Sequence, residues 1–167
     1  DQAALRYLDS LKISASGMEK TFVLLERNQR QRPGTPDPYL LTHPLSSERM
    51  DFVRNHLERS SIPAGTYPEA FKPMHSRMVA KLFAFMQSPE RTLQRYPQSD
   101  NSVAARMARA IAYYKMPDLP RSLQEMDGLI SERASDPFLH ELKGQILFEN
   151  GKAEEARAAY EKAAALM

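Results

Sequence analysis

Apolar residues recur along the chain at three- and four-residue intervals, and nowhere do they alternate with polar ones as in a half-buried strand. Leu5, Leu8 and Leu11 share one face of a first helix, Asp1 to Leu11. A second, Gly17 to Gln29, turns Met18, Phe22 and Leu25 to one side, and Ser16 followed by Glu19 has the spacing of a capping box at its start. Arg32-Pro33-Gly34-Thr35-Pro36-Asp37-Pro38 then breaks the pattern. A third helix, Ser46 to Arg59, carries Met50, Val53 and Leu57 as its stripe. Pro63, Gly65 and Pro68 mark a boundary between Ser60 and Pro68. Beyond it the pattern predicts helices over Met74–Met86, Pro89–Arg95 (with Ser88 as N-cap), Ser102–Lys115, Pro120–Arg133, Pro137–Glu149 and Ala153–Leu166. The fold class read from these positions is all-α, built from helical hairpins.

The last four helices form two pairs in register. Ala110 aligns with Gly144, Tyr113 with Leu147, Ser122 with Ala156 and Met126 with Tyr160, at a period of about 34 residues. Gly144 and Ala156 lack bulk, so two helices can approach closely there; Tyr160 fills the gap beside them, and Ala163 extends the small face. This ending resembles a tetratricopeptide repeat (TPR). The resemblance implies a C-terminal α-solenoid whose surface holds protein or peptide clients, with Tyr113, Tyr114 and Lys115 as candidate groove residues, of which Tyr113 is read as core in preference. Two repeats are fewer than the usual three, so the helices from Met74 to Arg95 are expected to supply an irregular third hairpin or a cap.

Composition narrows the function. With 23 basic against 21 acidic side chains, the net charge of +2 leaves no electrostatic footprint for nucleic acid. The absence of cysteine excludes disulfides, thiolate metal sites and a cysteine nucleophile. No apolar run approaches the roughly 18 residues needed to span a membrane, so membrane association is not indicated. The nine methionines fall mostly on helical stripes and are read as core filler.

No complete catalytic constellation is visible. His140-Glu141-Leu142-Lys143-Gly144 begins like the HExxH helix of a zinc protease, but Gly144 stands where the second histidine must be. His56 and His75 have no second ligand at useful spacing. His43, in Thr42-His43-Pro44, reads on spacing alone as a turn histidine that caps a backbone carbonyl before a helix.

His43-Pro44 with Arg49, downstream of Asp1-Gln2-Ala3-Ala4-Leu5, resembles the zinc metalloendopeptidases of the bacterial HtpX and BepA types and the mitochondrial Oma type. In that family an HExxH helix is followed by an ExxxD helix, whose Glu is the third zinc ligand, and then by a His-Pro-x-x-x-x-Arg segment. The resemblance implies that Asp1 ends ExxxD, that the ligand Glu lies four positions before residue 1, and that this chain is a fragment of a longer protein. By the same resemblance Asp1 orients a zinc-bound histidine from behind, and Arg49 pairs with a carboxylate of the protease domain. His43 then lies near the active site, as a regulatory zinc ligand only when the upstream domain is present. Residues 1–60 would be remnant helices of the protease domain, 61–101 a linker with an irregular hairpin, and 102–167 two TPR-like repeats. Zinc belongs to the full-length parent and no cofactor is expected in this chain, which is inactive alone. The implied compartment is the periplasm, and the lost catalytic neighbours predict packing on the TPR part, self-association or disorder of the N-terminal helices. The alternative is a self-standing TPR adaptor with no enzymatic parent.

Overall fold

The computed structural model describes residues 1–30 and 47–167. The described residues are all-helical and contain no strand: α1 (Gln2–Ser10), α2 (Ser16–Arg30), α3 (Ser47–Arg59), α4 (Phe71–Met86), α5 (Pro89–Arg95), α6 (Val103–Lys115), α7 (Leu119–Glu132), α8 (Pro137–Glu149) and α9 (Ala153–Leu166). The Pro-rich loop after Arg32 and His43-Pro44 lie outside the described residues. The chain divides into two compact units, Asp1–Phe71 and Lys72–Met167.

In the first unit the helical stripes converge on a small core of Leu5, Ala15, Phe22, Met50 and Val53, flanked by Leu8, Met18 and Leu57. The end of α1 follows from backbone hydrogen bonding. Lys12 N–H donates to the Asp9 carbonyl and Ile13 N–H to the Leu8 carbonyl, which uses two carbonyls the helix would otherwise leave unpaired. Lys12 takes the left-handed φ of 54° that this ending requires.

The capping box expected at Ser16 and Glu19 does not form. The helix begins at Ser16 itself, so that residue is already inside it. The Ser14 hydroxyl accepts from the Ser16 N–H at 3.2 Å, and the Ser16 hydroxyl accepts from the Gly65 N–H at 3.0 Å. Glu19 turns outward to Arg54 of α3, at 3.2 Å. Ser14 N–H donates to the Thr66 carbonyl, so the turn at 63–66 is bonded to the start of α2.

The second unit is built on two hairpins, α6–α7 and α8–α9. Their helices repeat at one offset: α6 begins at 103 and α8 at 137, α7 at 119 and α9 at 153, each 34 residues apart. Antiparallel packing within the first pair is fixed by Arg106 near the start of α6, which reaches Glu132 at the end of α7. Ser102, Asp118 and Asp136 each accept a backbone N–H at the start of α6, α7 and α8 respectively. The core contains Met107, Ile111, Met126, Leu129, Leu139, Leu142 and Ile146, with Ala80 and Ala84 of α4. Each fully buried Leu or Ile contributes about 1.5–3 kcal/mol relative to exposure.

Two cations, the buried Arg109 and the half-buried Lys115, hold the hairpins to the preceding segment. Arg109, only 2% exposed, donates to Glu125 Oε1 at 2.7 Å and to the Pro97 and Asp100 carbonyls at 2.7 and 2.8 Å. Lys115 Nζ donates to the carbonyls of Ala84, Phe85 and Gln87, closing the C-terminal end of α4. Lys115 is thereby committed to the fold, and Tyr113 is buried, so neither is a free groove residue.

Candidate functional site

The sequence motifs meet in the first unit at Asp1 and Arg49, which are 48 residues apart. Asp1 precedes α1 as its N-cap residue, and Arg49 stands in the first turn of α3. Arg49 Nε donates to Asp1 Oδ2 at 2.6 Å, and Nη2 donates to Oδ1 at 2.7 Å. This two-pronged match of a planar guanidinium to a carboxylate is the strong form of an ion pair. Beneath it, the guanidinium carbon of Arg49 lies 4.9 Å from the ring centroid of the buried Phe22. The cation is thus fixed by charge on one side and by an aromatic face on the other. Each Asp1 oxygen accepts one Arg49 N–H, which leaves each oxygen a lone pair for a further donor.

A second pair joins the same helices further along. His56 Nε2 lies 3.1 Å from Asp9 Oδ1. It borders a cavity shared with Lys12, Arg59 and the 60–66 segment. Among the described residues no group of three or more His, Asp or Glu side chains could hold a metal ion. His140 is buried and donates from Nε2 to the Ala134 carbonyl at 2.8 Å, as a packing residue of α8. His75 is exposed on α4. His43, the residue of most chemical interest in the sequence, lies outside the described residues.

In the second unit the structure brings Gly144, Ala156, Tyr160 and Ala163 together along the contact of α8 with α9. A Cβ on Gly144 would lie 2.9 Å from Tyr160 Cδ1, so the tyrosine ring rests directly on the bare α8 backbone. Ala156 and Ala163 are buried on the same face of α9, while Tyr160 keeps one edge in solvent. Partial burial, with the charges of Glu141 and Glu149, raises the Tyr160 phenol above its ordinary value of 10.0. The aligned positions of the first hairpin do the same work with different atoms. Ala110 and Ser122 are both fully buried, and the Ser122 hydroxyl donates to the Ala110 carbonyl at 2.8 Å.

One feature escaped the sequence reading. Met74, Met78, Met86, Met116 and Met167 are exposed rather than core, against the expectation of methionine as filler. On α4 the reason is geometric: Ala80 and Ala84 occupy the face that packs inward, which turns the larger residues out. The four-residue spacing of Met74, Met78, Leu82 and Met86 was visible, but periodicity alone does not say which of two apolar faces is inside.

Compared with protein-family models, with curated proteins and with solved structures, the chain matches none.

Proposed function

We propose that this chain is the non-catalytic C-terminal portion of a zinc-dependent metalloendopeptidase, whose TPR-like hairpins hold substrate or partner proteins for an upstream protease site. The Asp1–Arg49 pair carries the reading. It joins the residue that resembles the end of ExxxD to the last residue of the His-Pro-x-x-x-x-Arg segment. A pure helical-repeat adaptor has no need of that juxtaposition. In this reading zinc is held by residues upstream, where it would activate a water for peptide hydrolysis. Arg49 fixes the Asp1 carboxylate, and the remaining acceptor capacity of Asp1 is used to receive the ring N–H of a zinc-ligating histidine and hold its orientation. His43 would approach the same cleft from the segment before α3.

The 34-residue offset of the two hairpins, with small residues at both helix crossings, supports the TPR-like part of the proposal. Such hairpins expose a surface suited to an extended segment or a partner helix. The periplasmic assignment rests on the resemblance alone.

The test uses the protein extended by its upstream coding sequence. The proposal predicts about one zinc per chain, and cleavage of an unfolded protein substrate that a chelator abolishes. Substitution Arg49→Ala should lower zinc retention and cleavage together, by about tenfold or more. An extended protein without zinc would leave the self-standing adaptor as the better reading.

A further inference from the structure

The cavity beside the His56–Asp9 pair has about 680 Å³ of space and does not include Asp1 or Arg49. It is bounded by the C-terminal ends of α1 and α3 and by the segment that follows α3, all within the first unit. Its charges are unbalanced. Among the described residues that line it, Asp9 is the one acid, and His56 engages it at 3.1 Å. Lys12 and Arg59 are permanent cations on the same cavity, and among the described residues neither side chain has an ion-pair or hydrogen-bond partner.

A helix C-terminus attracts cations, and that alone would place a basic residue here. Lys12 does not act in that way. The Tyr7, Leu8 and Asp9 carbonyls at the end of α1 already accept the N–H groups of Leu11, Ile13 and Lys12. Lys115 shows what a capping lysine does in this molecule, with Nζ donating to three carbonyls. The Lys12 ammonium donates to none among the described residues. Lys12 also holds a φ of 54°, where glycine is the usual residue and a side chain is strained. The strain is borne for a cation that the fold itself does not use.

A hydroxyl donor and an apolar wall complete the cavity. The Ser60 hydroxyl accepts the Ile62 N–H at 3.2 Å and keeps its own proton to donate. Ile62 and Pro63 supply the apolar surface. The volume lies within the roughly 300–1,000 Å³ of small-molecule sites, well above what a bare phosphate ion fills. Guanidinium and ammonium groups are the usual phosphate binders, and a phosphomonoester brings up to two charges and several acceptor oxygens to two cations and a hydroxyl.

We propose that this cavity binds a phosphomonoester, with the phosphate held by Lys12 and Arg59 and the organic part against Ile62 and Pro63. A soluble ester and a lipid headgroup both present this group. The proposal is independent of the protease reading, which rests on Asp1 and Arg49.

The test is isothermal titration calorimetry of the full chain with phenyl phosphate and with neutral benzyl alcohol. Phenyl phosphate should bind saturably, at least about tenfold more tightly than the alcohol. Lys12→Gly removes the charge and suits the local φ, so it should weaken phenyl phosphate by about tenfold or more while raising the thermal midpoint. Arg59→Gln should weaken it similarly with an unchanged circular dichroism spectrum. Lys162→Gln, at an exposed lysine of α9, should leave binding as it is. No saturable binding of phenyl phosphate overturns the proposal. So does binding that survives both Lys12→Gly and Arg59→Gln, or a loss in Lys162→Gln equal to that in Lys12→Gly. Vesicles of phosphatidylcholine with phosphatidic acid separate the sources. Co-sedimentation that the Lys12→Gly, Arg59→Gln double variant loses assigns the phosphate to a lipid headgroup; phenyl phosphate binding without co-sedimentation assigns it to a soluble ester.

Discussion

At the residue scale, the α8–α9 contact turns on a hydrogen atom where every other residue has a carbon. Gly144→Ala gains about 1 kcal/mol in helix propensity. It also forces a Cβ against the Tyr160 ring at 2.9 Å, which costs about 1–3 kcal/mol. The net change should be neutral to destabilising in the native background. In a Tyr160→Ala background the clash is gone, and the same substitution should stabilise by about 0.5–1 kcal/mol; urea midpoints of the four proteins measure the coupling. An equal effect of Gly144→Ala in both backgrounds would mean that Tyr160 does not rest on Gly144. Arg49 offers a second residue-level test. Lysine keeps the charge but cannot match both Asp1 oxygens, so Arg49→Lys should cost about 1 kcal/mol, most of what Arg49→Ala costs. A lysine variant as stable as the native protein would show that the two-pronged geometry contributes nothing.

At the element scale, Asp136 joins two helices. It accepts the Phe138 N–H at the start of α8 and pairs with Arg77 of α4. Burial alone would raise its pKa. The hydrogen bond and charge of Arg77, with the N–H groups of Phe138 and Leu139, outweigh that and leave it below the usual aspartate value. A depressed carboxylate contributes stability above the unfolded pKa of about 3.9 and loses it as pH falls through the folded value. Acid unfolding of the native chain should therefore have a component below about pH 4 that Asp136→Asn removes. At neutral pH, Asp136→Ala should cost about 2 kcal/mol, for the lost cap and the unpaired Arg77. Thermal unfolding at pH 7 and pH 3.5 checks both statements.

The elements themselves were legible because each is announced locally. Ser88-Pro89, Asp136-Pro137 and Asn150-Gly151 start or stop helices by simple chemistry, and Gly151 takes the φ of 75° that ends α8. The small residues at 110, 122, 144 and 156 were legible because a close crossing admits little else. What sequence could not supply was direction. α4 has apolar residues on two faces, and only packing against α6 and α8 determines that the alanines go in. Arg109 was opaque for a related reason. Its buried charge is satisfied by the Pro97 and Asp100 carbonyls and by Glu125 on another helix, and such partners have no signature in spacing. The Ser16–Glu19 capping pattern was legible but misleading, because the Ser16 hydroxyl accepts from the Gly65 N–H and the Ser14 hydroxyl instead of the N–H of Glu19.

At the scale of the whole molecule, the two units carry different parts of the proposed function. The first holds the Asp1–Arg49 pair and the second holds the hairpins. The second has its own core, of eleven buried residues. A polypeptide of residues 72–167 should therefore remain helical and unfold cooperatively. Loss of helical structure in that polypeptide would show that the hairpins depend on the first unit. Proteolytic activity, by contrast, should be absent from either unit alone, because the proposed zinc ligands are upstream of both.

That dependence on upstream residues is the central claim, and the coding sequence immediately before Asp1 tests it most directly. The account predicts a glutamate four positions before Asp1 and an HExxH helix further upstream. A start codon directly before Asp1, or an upstream sequence with neither motif, would contradict it and leave a helical-repeat binding module in which Asp1 and Arg49 are simply a structural ion pair.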